Sequence, residues 1–335
     1  MLGRATLPTL SALDLTHNRI GNDGVRLLAA PGSLPGLRDL VLGMNDIDGE
    51  GARALAHAAW WPQLESLTLS HNRLGDPGAA ALAAVPAPSL EALRMQANDL
   101  GPLGAQALGN TELVARLTHL DLRSNRLGTA GAEALAAAPA GHLRNLELGQ
   151  NEIGNPGLRA LALSAWMPGL IELSLGGNHI GDRGVQALAD ADRLSLRALN
   201  LWHNDLGPLS AKALAESGSL AYLTQLDLGS NRIGSEGATA IARSPHLTRL
   251  TSLGLWHANI GDAGAQALSA AVFNRLVHLD LSYNFVSDRG AQALARAPWL
   301  AHVRSLDLRG NDIGPEGREA LRTAAKDHRD LRITV

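Results

Sequence analysis

The 335-residue chain contains no cysteine, so neither a disulfide framework nor a thiolate metal site can be built from it. Aromatic residues make up only 3% of it, so its core must come from smaller side chains. Lysine is nearly missing, with Lys212 and Lys326 the only two among 29 basic residues. No apolar run of about 18 residues occurs, and no basic-then-apolar leader opens the chain, which argues against a membrane span or a secretory signal. Cytoplasmic residence is the default expectation, with an exported effector left open. A net charge of −3 argues against a nucleic-acid or anionic-membrane binder, since these carry concentrated basic surfaces.

What the chain does have is a beat. Asparagine recurs every 26 or 27 residues, at Asn18, Asn45, Asn72, Asn98, Asn125, Asn151, Asn178, Asn204, Asn231, Asn284 and Asn311. The one missed place is Ala258, with Asn259 beside it. A fixed period of this length marks a stack of similar supersecondary units. Leucine stands eight, five and three residues before each ladder position, as in Leu10, Leu13 and Leu15 before Asn18, with Met95 and Val303 as mild exceptions. The Leu-x-Leu pair has the period of a strand with one buried face, and strands recurring in one direction pair in parallel.

A side-chain amide offers one acceptor and two donors to backbone groups freed where the chain bends after the strand. Stacked rungs are therefore expected to satisfy one another's turns, and Ala258 to mark a weakened or rebuilt turn in which Asn259 reaches back. Glycine follows three and usually six residues after the ladder position, as in Gly21 and Gly24, with Asp48, Ser210 and Ser287 as departures. Its recurrence suggests close packing against the next repeat. Asp76-Pro77 and Asn155-Pro156 read as an N-cap followed by proline in the first helical position. Apolar residues then fall at plus seven, ten and eleven, as in Ala132, Leu135 and Ala136, which is one buried helical stripe.

The pattern Leu-x-x-Leu-x-Leu-x-x-Asn-x-Ile-Gly-x-x-Gly-Ala-x-Ala-Leu-Ala resembles a leucine-rich repeat, specifically the ribonuclease-inhibitor-like class, over roughly residues 7 to 335. The resemblance implies an α/β solenoid of about twelve repeats, with a parallel sheet on the concave face and helices on the convex face. Mammalian ribonuclease inhibitors are rich in cysteine and have longer, alternating repeats, so inhibition of ribonuclease is not inferred. The short, alanine-rich, cysteine-free repeats are more similar to bacterial ones. One elongated domain over residues 1–335 is expected, since in a solenoid each repeat needs only its neighbours. Met1 to Leu7 read as the tail of a preceding repeat, which leaves open that the chain is part of a longer one. Ile333 and Val335 fall in the register of a thirteenth strand, and 326–335, opening with Lys326-Asp327-His328-Arg329, read as a C-terminal cap.

Residues beside the buried leucines point to the sheet surface. One column there reads Asp14, Val41, Thr68, Arg94, Asp121, Glu147, Ser174, Asn200, Asp227, Gly254, Asp280 and Asp307, six acids against one arginine. Two readings stand: a field that steers a basic protein partner, or acids that pair locally as is common in such repeats. One residue past the strand most repeats carry a small or polar side chain, but two carry Trp202 and Trp256, with Gly229 in the repeat between. Two strand spacings put their rings on the order of 10 Å apart. His203, Ser230, His257 and Tyr283 run beside them, and Phe285, Asp307 and Arg309 follow. Exposed aromatics on a rigid face are typical interface anchors; the competing reading is that the indoles lie flat on neighbouring strands. Trp60, Trp166 and Trp299 recur twelve residues before a ladder position and read as core-edge filling, as do Trp61 and Phe273.

Chemistry is not visible. Of the twelve histidines, His17 and His71, or His203 and His257, stand two rungs apart, too far to share zinc without other ligands between. The Gly-x-x-Gly lacks the Lys-Ser/Thr of a phosphate loop. No cofactor, metal or catalytic residue is expected. The leading reading is a non-enzymatic scaffold that binds a protein partner through its concave face, with the oligomeric state left open. The alternatives are a regulator resembling GTPase-activating proteins of this repeat class, in which Arg123 or Arg309 acts on the partner, and the sensor or spacer region of a larger receptor or effector.

Overall fold

In the computed structural model, which describes residues 9–328 and 330–335, each Leu-x-Leu forms a short strand and each stripe after the glycines forms a helix. The Met1 to Leu7 segment and Arg329, given roles above, lie outside the described residues. The chain divides into two compact units, Met1–Leu170 and Ile171–Val335. In the first, strands Ala12–Asp14, Asp39–Val41, Ser66–Thr68, Ala92–Arg94, His119–Asp121 and Asn145–Glu147 pair in parallel in chain order. In the second, Glu172–Ser174, Ala198–Asn200, Gln225–Asp227, Ser252–Gly254, His278–Asp280, Ser305–Asp307 and Arg332–Thr334 do the same. The register stacks leucine on leucine: Leu199 on Leu226, Leu226 on Leu253, Leu253 on Leu279. The last strand sets Ile333 against Leu306.

Strands stop after three residues because the backbone turns left-handed just before each ladder position. His17 (φ 61), His71 (φ 57), His203 (φ 51), His257 (φ 50) and Tyr283 (φ 56) all adopt this conformation, which costs an ordinary residue about 1–2 kcal/mol. Inter-strand hydrogen bonds hold it: the N–H of His203 donates to the Gly229 carbonyl, and that of His257 to the Ser282 carbonyl. The ladder amides then satisfy the bend. Asn231 Oδ1 accepts from the N–H groups of Asn204 and Leu206, and its Nδ2 donates to the carbonyls of Leu201, Leu228 and Gly229. Asn45, Asn72, Asn98 and Asn125 make similar bridges in the first unit.

At Ala258 the bridge is broken. Asn259 does not reach back: it is exposed, in the left-handed region (φ 59). A residue turned outward there cannot aim its amide into the bend. Among the described residues no group accepts from the N–H of Asn231 or of Ile233, the donors that a ladder amide at 258 would serve.

The helices also differ from the expected caps. Asp76 and Asn155 are not N-caps: the helices are Gly75–Ala83 and Gly154–Ala162, with Leu74 and Ile153 at the N-cap and Pro77 and Pro156 inside the first turn. Gly75 (φ 55) and Gly154 (φ 66) make the entry by a left-handed turn instead. Asp76 is directed to the next repeat, where its carboxylate accepts from Gly101 N–H (2.6 Å) and Gly104 N–H (2.8 Å) and so caps helix Pro102–Gly109. Asp182 and Asp262 cap the following repeat in the same way, at Gly207 and Ser210 and at Ser287 and Gly290. Helices thus close in close order: a Cβ on Gly237 would lie 2.9 Å from that of Ala211 one repeat earlier.

The core is leucine and alanine, with the plus-ten residues such as Leu135, Leu188 and Ile241 buried. The plus-eleven residues Ala136 and Ser269 are only half-buried. Trp60, Trp166 and Trp299 are buried, and each indole N–H donates to a carbonyl in the last turn of a helix one repeat earlier, at Leu28, Leu135 and Leu268. They therefore supply a polar cap as well as bulk. Trp61 and Phe273 are buried too.

Candidate interaction surface

The candidate site lies on the open sheet face of the second unit, built from two residues of each strand repeat with the same orientation. The first is the column between the leucines; the second lies two positions on, just past the strand. In many repeats the first binds the second. Asp14 accepts from Thr16, Asp121 from Arg123, Asn200 from Trp202, Asp227 from Gly229, Asp280 from Ser282 and Asp307 from Arg309, each from the backbone N–H. Local pairing is thus a real use of this column.

Charge compensation is uneven along it. Arg123 forks onto Asp121 (3.1 and 2.7 Å) and reaches Glu147 on the next strand at 2.8 Å. Arg309 forks onto Asp307, at 3.0 and 2.5 Å. Hydrogen bonding to Asp121 raises the Arg123 guanidinium, and burial, which alone would raise Asp307, is outweighed by Arg309, so that its carboxyl sits below the usual range. Both loop arginines are therefore committed to carboxylates.

Asp227 and Asp280 form no ion pair with any basic side chain among the described residues. Burial, followed by the neighbouring Asp280 charge, pushes the Asp227 carboxyl up, against hydrogen bonds from Gly229 and the Trp256 indole. A folded-state value above the unfolded one means the charged form is disfavoured by folding, so this group's stability contribution is lost as pH rises through its folded pKa. Asp227→Asn keeps an acceptor for Gly229, as Asn200 does for Trp202 at 3.1 Å. The variant is expected to show a higher thermal midpoint than wild type at neutral pH, with the gap closing below about pH 4, near the ordinary Asp value. Melting curves of both proteins across that range check it; a variant less stable at neutral pH contradicts it.

Trp202 and Trp256 are closer than strand spacing suggests. Their ring centroids are 6.4 Å apart at 33°, not the ~10 Å expected from two strand spacings. Both rings lean over a glycine of the preceding repeat: a Cβ on Gly176 would come within 2.2 Å of the Trp202 indole, and one on Gly229 within 2.0 Å of the Trp256 indole. Each indole is half-buried, so the flat-packed and exposed readings each describe part of the geometry. His203 extends the cluster, 5.6 Å from the Trp202 ring and within 3.2 Å of Ser230 Oγ.

The remaining expected residues are placed on the rim. Tyr283 covers Gly310 and is 58% exposed, and Phe285 is 64% exposed. His257 and Arg309 are exposed as well. Among the described residues no ring contact joins Tyr283, Phe285 or His257 to the indole pair. What the sequence reading did not identify is a pocket of about 400 Å³ beside Trp256, lined by Asn200, Asp227, Ser252, Gly254 and Asp280 among others. Its sequence signal is Gly254 in a column of larger residues; that of the indole seats is a glycine one repeat before each tryptophan.

Parallel strands that return through helices and, except at Ala258, are followed by a stacked ladder asparagine define an α/β leucine-rich solenoid protein. The Leucine Rich repeat family profile matches twelve successive segments, from 6–29 and 35–56 through to 275–295 and 300–321, and the chain belongs to that family. No curated protein matches the sequence. Among solved structures it is similar to one of the Rad7 and Elc1 complex in yeast, with a TM-score of 0.62, 18% identity, and 92% of this chain and 78% of that one covered. It is also similar to an internalin (inlF) from Listeria monocytogenes, with a TM-score of 0.59, 17% identity, and 97% and 86% covered. At these identities the likeness is one of fold.

Proposed function

We propose that this protein is a non-enzymatic scaffold that binds a protein partner through the open sheet face of Ile171–Val335, with Trp202 and Trp256 as its anchors. Family membership supports the general role, and the solved yeast relative is itself described as part of a complex. The observation that carries the choice of surface is the tilted indole pair, half-exposed on glycine seats, beside two carboxylates, Asp227 and Asp280, that form no ion pair among the described residues. Half-buried rings on a rigid sheet offer large contact area at low entropy cost.

The test is affinity capture from the source cell with wild type and with Trp202→Ala/Trp256→Ala. A partner held by wild type is expected to be lost from the variant, by at least a hundredfold in affinity, or about 2.7 kcal/mol. The core tryptophans are untouched, so the folded stack should persist in circular dichroism. Equal capture by the two proteins would sink the assignment of the surface.

A further inference from the structure

The pocket beside Trp256 has a specific chemistry, and the same fold shows twice what fits such a place. At Asp121 and Asp307 the residue two positions on is arginine, whose guanidinium forks onto the carboxylate. Arg123 goes further and bridges column carboxylates on adjacent strands, from Asp121 to Glu147. At Asp227 and Asp280 the residues two positions on are Gly229 and Ser282, which bring no charge. The carboxylates are there with no guanidinium bonded to them; Arg309, forked onto Asp307, acts on Asp280 only at longer range. The pocket lining contains Asp227, Asp280 and Asp307 and no lysine or arginine.

We propose, building on the scaffold reading, that this pocket receives an arginine side chain of the protein partner, its guanidinium spanning Asp227 and Asp280 above Gly254 with Trp256 as the side wall. Gly254 is what makes the space. It stands on the strand between the two acids, and a Cβ there would come within 2.6 Å of Asp227 Oδ1, so any larger residue would displace that carboxylate from its lean over the strand. Two strand spacings separate the acids' backbones by about 10 Å. A flat group with donors on several edges can reach both carboxylates, whereas a single ammonium nitrogen is a point charge that satisfies one side at a time. The indole adds a π surface for the planar cation. Nothing in this arrangement requires a catalytic step.

The experiment titrates the full chain with acetyl-Gly-Arg-Gly-amide and with its lysine and citrulline counterparts. The readout is the indole N–H resonance of Trp256, assigned by its loss in Trp256→Phe. The arginine peptide is expected to shift that resonance saturably, the lysine peptide to bind at least about tenfold more weakly, a difference of 1.4 kcal/mol, and the citrulline peptide to leave it unmoved. Asp227→Asn/Asp280→Asn should abolish the arginine response while keeping a native spectrum. Equal responses to arginine and citrulline, or an arginine response that survives in the double variant, would overturn the proposal. A partner captured through the tryptophans whose binding the arginine peptide neither competes with nor mimics at Trp256 overturns the arginine pocket and leaves the scaffold reading standing. Capture indifferent to the tryptophans removes the scaffold surface itself.

Discussion

Asn284→Ala is expected to destabilise the protein by about 3 kcal/mol, and Ala258→Asn to stabilise it by about 1–2 kcal/mol. Asn284 is fully buried, and its amide makes four bonds: Oδ1 accepts from Ala258 N–H (2.9 Å) and Ile260 N–H (3.3 Å), and Nδ2 donates to the Leu255 (2.7 Å) and Ser282 (3.0 Å) carbonyls. Truncation strands the N–H groups of Ala258 and Ile260 and the Leu255 carbonyl, and leaves the Ser282 carbonyl only the His257 N–H, in a bend that the adjacent repeats hold from both sides. Each buried group left without a partner costs on the order of 1–3 kcal/mol, and partial relaxation keeps the total below the simple sum. The reverse exchange at 258 offers an acceptor to Asn231 and Ile233, in the backbone setting where asparagine serves at the other rungs. Because a solenoid is close to a chain of nearest-neighbour terms, both effects should be concentrated in the repeats flanking the substitution. Chemical denaturation gives the sign and size, and amide exchange gives the place. A stabilising Asn284→Ala, or an Ala258→Asn that destabilises, would contradict the ladder's role.

Gly229→Ala is expected to displace the Trp256 indole and weaken partner binding by more than tenfold, above 1.4 kcal/mol, for the addition of one methyl group. The new Cβ would come within 2.0, 2.3 and 2.4 Å of the Trp256 Nε1, Cε2 and Cδ1 atoms. The backbone cannot withdraw, because Gly229 N–H is held by Asp227 at 2.9 Å and its carbonyl accepts from both His203 N–H and Asn231 Nδ2. The ring must lift instead, and with it go the hydrogen bond to Asp227 and the 6.4 Å contact with Trp202. Since the indole is only half-buried, the loss falls mainly on surface geometry and little on the core. Tryptophan fluorescence should report a more solvated ring, while the thermal midpoint moves by no more than a few degrees, as for a change of about 1 kcal/mol.

Register made much of this fold readable in the sequence. Leu13, Leu15 and Asn18, repeated through Leu279, Leu281 and Asn284, specify buried strand, bend and stacking at once, and the plus-ten Leu or Ile anchors each helix. The contacts that escaped are those between repeats. Asp76 looks like a cap for its own helix, yet its carboxylate serves Gly101 and Gly104 one repeat on. A linear reading sees helix start signals but not which helix end lies nearest in space. The indole spacing failed for a related reason: strand spacing places backbones, whereas ring positions depend on side-chain lean, which a column of letters does not record. Of the candidate site, Trp202 and Trp256 were legible as outliers in a regular column, and Asp227 and Asp280 as members of an acidic one. Asn200, Ser252 and Gly254 were not, because a pocket is defined by what neighbouring strands omit, and a lone glycine in a column looks like drift.

The proposed binding surface is the sheet face around the indole pair. The affinity of a captured partner for wild type and for Gly229→Ala, measured by calorimetry on proteins of matched thermal midpoint, tests it most directly. A loss of more than tenfold, or about 1.4 kcal/mol, with the fold unchanged is expected; equal affinity for both, with the Trp256 fluorescence shifted, would rule this surface out.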